Sequence, residues 1–107
     1  MNTRKPSPVT VAVVEDNADL RNSIREILEG ADGMGCVAAC ATGEEALATL
    51  PAMRPTVVFM DINLPGMNGV ECVRQLIGHL PQTLVVMLTI QSNSNAVFES
   101  LQAGACG

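Results

Sequence analysis

The sequence predicts an α/β domain built on a doubly wound parallel sheet. Short, almost wholly apolar runs alternate with segments of helical periodicity along the whole chain, which is the pattern of strands joined by helical crossovers. Polar residues gather just after those runs: Glu15 and Asp16, Asp61, and Thr89. With two Phe and no Trp or Tyr, the core must come from Val, Leu, Ile, Ala, Met and Cys, as suits a sheet covered by helices. A length of 107 residues, 48% hydrophobic and 16% charged, fits one globular domain.

The run VTVAVV at 9–14 is β-branched and nearly continuous, as a central strand buried on both faces is, and it ends at Glu15 and Asp16. In ADLRNSIREILEG, Leu20, Ile24, Ile27 and Leu28 recur at helical spacing and Gly30 supplies a stop, so a helix is expected over 18–29 with those residues facing inward. A second strand is expected over 36–41. Thr42 and Glu45 then have the S/T-x-x-E spacing of a capping box, opening a helix that turns Ala46, Leu47, Leu50 and Met53 inward and closes before Pro55.

The third strand, expected over 56–60, delivers a single acid, Asp61, to its carboxyl tip, ahead of a loop holding Pro65, Gly66 and Gly69. Asn68 is placed to cap the next helix with Glu71 three residues on, and Val70, Val73, Ile77 and Leu80 form its inner stripe. LVVML at 84–88 is a fourth apolar strand ending at Thr89, and a weaker helix is expected over 95–103 with Val97, Phe98 and Leu101 inward.

A net charge of -5 argues against direct DNA binding, which depends on cations that neutralise phosphates. The opening MNTRKPSP has no apolar stretch after its basic residues, and no run reaches membrane-spanning length, so a cytoplasmic protein with a flexible leader at 1–8 is expected. Cys36, Cys40, Cys72 and Cys106 carry no CxxC or His cluster and read as reduced core thiols. His79 reads as an exposed helix-end residue.

Ligands of open parallel sheets sit outside the carboxyl ends of the strands, where Glu15, Asp16, Asp61 and Thr89 converge if strands one and three are neighbours in the order 2-1-3-4. Three crowded carboxylates repel one another unless a cation lies among them, and hard oxygen donors suit Mg2+. A carboxylate can then be the nucleophile of phosphoryl transfer, with Thr89 offering a hydroxyl to a phosphoryl oxygen. VVEDNAD stands where a Gly-rich phosphate loop would follow the first strand, so dinucleotide or P-loop nucleotide binding is not expected.

Glu15-Asp16, Asp61 in DINLPGMNG, ATGEEAL at 41–47, Thr89 after LVVML and AGACG at 103–107 together resemble the receiver domain of bacterial two-component response regulators, a flavodoxin-like fold. The wording is most similar to receivers that precede a LuxR/NarL-type DNA-binding output domain. The resemblance implies that Asp61 is the phosphoacceptor, charged by a sensor histidine kinase or by acetyl phosphate. It implies that Glu15, Asp16, Asp61 and the backbone carbonyl of Asn63 hold Mg2+, and that Thr89 is the switch hydroxyl, whose movement biases the last helix.

After Thr89 the family usually has a small residue; Ile90 is expected to slow phosphoryl entry and loss. The family's pattern continues past AGACG to a fifth strand, a phosphoryl-pairing Lys and a fifth helix. A receiver over 9–107 with its fifth strand and fifth helix largely missing is therefore expected, as is self-association through its outer strand edge or last helix. The function expected is a phosphorylated signalling switch and not a turnover enzyme. The alternative is a receiver-like interaction module that is never phosphorylated. A phosphatase on a similar sheet is disfavoured, because Asn63 stands where its D-x-D pattern needs a second acid.

Overall fold

A computed structural model describes residues 9–62, 64–88 and 104 of the chain. Among these, strands and helices alternate as β1 (Val9–Val14), α1 (Ala18–Gly30), β2 (Met34–Cys40), α2 (Gly43–Met53), β3 (Val57–Asp61), α3 (Gly69–His79) and β4 (Leu84–Leu88). The described pairings are all parallel and the order is β2-β1-β3-β4, the doubly wound arrangement expected from the sequence. The leader at 1–8, Asn63, Thr89, Ile90, the helix expected over 95–103 and Cys106 lie outside the described residues.

Strand alternation sorts the core onto two faces. Ala12, Val14, Val58, Met60 and Val85 pack with Ala46 and Leu50 of α2 and with Cys72, Val73 and Leu76 of α3. Val11 and Val13 turn the other way, toward Leu28 and the partly buried Ile24 of α1, with Val57 and Phe59 alongside. Each helix opens on a side-chain cap. Asn17 Oδ1 accepts from Leu20 N–H at 2.9 Å, Thr42 Oγ1 from Glu45 N–H at 3.0 Å, and Asn68 Oδ1 from Glu71 N–H at 2.9 Å. Glu45 returns the favour one residue early, its Oε1 accepting from Ala41 N–H at 2.9 Å.

Several expectations need correcting. Ile27 is 70% exposed, not part of the inner stripe: the buried line of α1 runs through Leu28, and Ile27 stands about 100° round the helix from it. Met53 is 44% exposed because it is the last residue of α2, where the chain turns through a left-handed Arg54 at φ 48°. β2 begins at Met34, since Met34 and Gly35 pair with Val9 and Thr10 and the ladder overrides the turn character of the glycine. β3 includes Asp61, which still pairs with Leu88.

Candidate functional site

Backbone register brings the acids together. Val14 of β1 lies opposite Met60 of β3, so Glu15 and Asp61, each one residue further on, emerge level with each other from adjacent strands. Both share the parity of Val11, Val13, Val57 and Phe59, so they leave the same face of the sheet. The β1–β2 ladder holds Glu15 in place, its N–H donating to the Cys40 carbonyl at 2.9 Å. Glu15, Asp16 and Asp61 each bring a carboxylate oxygen within 4.8 Å of the others; Glu15 is buried, Asp61 half-buried and Asp16 exposed.

Taking charge out of water at this rim has a visible consequence. Burial pushes the Glu15 carboxyl up to about 7, and the Asp61 charge and hydrogen bonding with Asp16 and Asp61 push the same way, opposed by the Asn17 N–H that donates to Glu15 Oε2 at 3.0 Å. The donor set is oxygen only, with a buried, a half-buried and an open member, which fits a hard cation that keeps part of its water shell, such as Mg2+.

Three residues outside the predicted set shape this rim. Arg21 Nη1 of α1 donates to the carbonyl of Glu15 at 2.8 Å and to that of Asp16 at 3.4 Å. Glu44 at the start of α2 accepts from Met67 N–H at 3.2 Å, restraining the loop after β3 beside Gly66, whose φ is 69°. Gly69 N–H donates to the Ile62 carbonyl at 3.0 Å, and its Cα faces the Asp61 main chain so closely that a methyl group there would run into the Asp61 carbonyl oxygen. Gly69 is a loop marker in the sequence and Glu44 falls within ATGEEAL, but their contacts and those of Arg21 are not legible there, since the partners are main-chain atoms.

The cysteines behave as expected where they are described. Cys36, Cys40 and Cys72 are free thiols, and burial pushes Cys40 up to about 11 and Cys72 up to about 12, so they stay protonated and poor as ligands. His79 is exposed at the end of α3 and, with Arg54, Thr56, Gln82 and Thr83, borders a cleft of about 510 Å³ at the opposite rim. No helix among the described residues is long and apolar enough to cross a membrane.

Comparison with known proteins agrees with this architecture. A family profile described as the response regulator receiver domain matches residues 11–107. The response regulator GacA of Pseudomonas protegens is 35% identical over 99 residues, which are 92% of this chain but 46% of that protein. The chain therefore spans just under half the length of that curated relative. Among solved structures, a LuxR-family two-component response regulator from Aurantimonas superposes with a TM-score of 0.86 at 27% identity, over 92% of this chain and 71% of that one. The response regulator domain of Thermotoga maritima CheB does so with a TM-score of 0.81 at 30% identity, over 92% and 74%. With the match running over nearly all of the sequence and the acids gathered at the carboxyl rim, the chain belongs to the response regulator receiver domain family.

Proposed function

We propose that this chain is a phosphorylatable switch in which Asp61 accepts a phosphoryl group from the phosphohistidine of a sensor histidine kinase or from acetyl phosphate. The observation that carries this reading is the convergence of Glu15, Asp16 and Asp61 within 4.8 Å at the carboxyl ends of neighbouring parallel strands. An Asp61 carboxylate oxygen forms the bond to phosphorus, the histidine nitrogen or acetate leaves with the bonding pair, and an aspartyl phosphate results. Glu15, Asp16, Asp61 and the Asn63 carbonyl would hold Mg2+, which supplies positive charge against the phosphoryl oxygens when bound. Thr89 gives a hydroxyl to one of those oxygens and biases the last helix between two states.

The chain acts by changing partners and not by turnover, in the cytoplasm, inside a longer regulator whose output domain binds DNA; the net charge of -5 keeps that task off this domain. Self-association through the outer edge of the sheet or the last helix belongs to the same proposal.

Incubation with acetyl phosphate and Mg2+, followed by intact-mass measurement, tests the reading. One phosphoryl adduct is expected on the wild type and none on Asp61→Asn. A wild type without the adduct removes the phosphoacceptor role and favours the unphosphorylated interaction module.

A further inference from the structure

A cation at the end of the first turn of α1 stands against the local rule, because the positive end of the helix dipole disfavours it there. Arg21 occupies that position, half-buried, and its guanidinium is spent on main-chain oxygens: Nη1 reaches the Glu15 carbonyl at 2.8 Å and the Asp16 carbonyl at 3.4 Å. Further bonds brace the same turn. Asn17 N–H donates to Glu15 Oε2 at 3.0 Å, and Asn17 Oδ1 in turn accepts from Leu20 N–H at 2.9 Å, one residue before Arg21.

We propose that Arg21 is a positioning residue for the metal-binding turn: its Nη1, shared between the two, fixes the Glu15 and Asp16 carbonyls, and through them the directions in which the two carboxylates leave the chain. This inference rests on the Mg2+ reading above. The placement has a chemical logic. A guanidinium bound to the carboxylates would compete with the metal for their charge, whereas one bound to the carbonyls stiffens the turn and leaves the acids for the ion. Lysine, a point donor on a flexible stem without the preorganised planar head, is expected to hold the two carbonyls less firmly.

The test is an Mg2+ titration of the wild-type chain, Arg21→Met and Arg21→Lys, followed by NMR shifts of the backbone amides at 14–17, with thermal melts in EDTA alongside. Methionine keeps an apolar stem without donors. The proposal expects Mg2+ affinity about 10-fold weaker in Arg21→Met, the scale seen when groups behind metal ligands are removed, and intermediate in Arg21→Lys. An unchanged affinity with a lowered melting point marks a purely structural Arg21 and overturns the proposal. A tighter affinity does so too, since it shows that the cation acted only by repelling the metal. If Arg21→Met does not fold, wild-type affinity in Arg21→Lys is the overturning result. A wild type that shows no Mg2+-dependent shift overturns the metal reading and this inference with it, whereas wild-type binding with unaffected variants overturns this inference alone.

Discussion

At the amino ends of the strands, Thr83 Oγ1 donates to the Pro55 carbonyl at 2.7 Å, Thr56 N–H to the Thr10 carbonyl at 2.9 Å, and Leu84 N–H to the Thr56 carbonyl at 3.0 Å. At the carboxyl ends of the same strands, three carboxylates are brought within 4.8 Å of one another. At the first rim these groups find neutral partners in their own chain. The second holds like charges at a separation that stability alone would not select. The difference sets the two ends apart: among the described residues, the buried acid pushed up to about 7 stands at the carboxyl rim, where the proposed cation and phosphoryl group would meet it.

Gly69→Ala is the strongest way to break this contrast. Alanine is the better helix former, yet a Cβ at 69 would press on the Asp61 carbonyl oxygen and lie 2.9 Å from the Ile62 Cα, and backbone cannot give way as a side chain can. A loss of about 3 kcal/mol in urea unfolding is expected, together with weaker Mg2+ binding, since the strand tip that carries Asp61 must shift. A variant as stable as the wild type would show that α3 is not seated on that tip.

Glu15→Gln sharpens the contrast through pH. The folded carboxyl lies above its ordinary value of 4.5, so the folded chain holds that proton more tightly than the unfolded one. The stability this gives is complete below about pH 4.5 and is lost as pH rises through about 7. In EDTA the wild type is therefore expected to melt lower at pH 8 than at pH 5, and Glu15→Gln to stay level across that window. At pH 8 the variant gains on the order of 2 kcal/mol over the wild type, and excess Mg2+ raises the wild type alone. A flat wild-type profile between pH 5 and 8 would remove the claim that burial at the carboxyl rim holds the Glu15 carboxyl above its ordinary value.

Much of this contrast was legible from the residues. Short apolar runs ending in acids, VTVAVV before Glu15 and VVFM before Asp61, are what buried parallel strands look like, and alternation with helices leaves few sheet orders, so the meeting of Glu15 and Asp61 followed from the order β2-β1-β3-β4. The caps at Thr42 and Asn68 were readable because their partners lie three residues away. Arg21 and Glu44 were not, because each bonds to main-chain atoms whose positions exist only once the turns have formed. Ile27 and Met53 misled for a related reason: helical spacing gives the angle of a residue but not how wide a strip the sheet covers or where the helix stops meeting it.

The smallest expected effects ask whether the rims differ by location or by their acids. Thr83→Val, at the amino rim, deletes the donor to the Pro55 carbonyl inside the protein and is expected to cost about 1–2 kcal/mol in urea unfolding. Thr42→Ala, at the carboxyl rim, removes the cap on Glu45 N–H and is expected to cost about 1 kcal/mol. Neither side chain belongs to the acidic cluster, so Mg2+ affinity is expected to match the wild type in both variants, one from each end of the sheet. Weaker Mg2+ binding in Thr42→Ala but not in Thr83→Val would make the carboxyl rim a coupled unit, in which the start of α2 reaches the acids through Glu44 and its hold on the loop after β3.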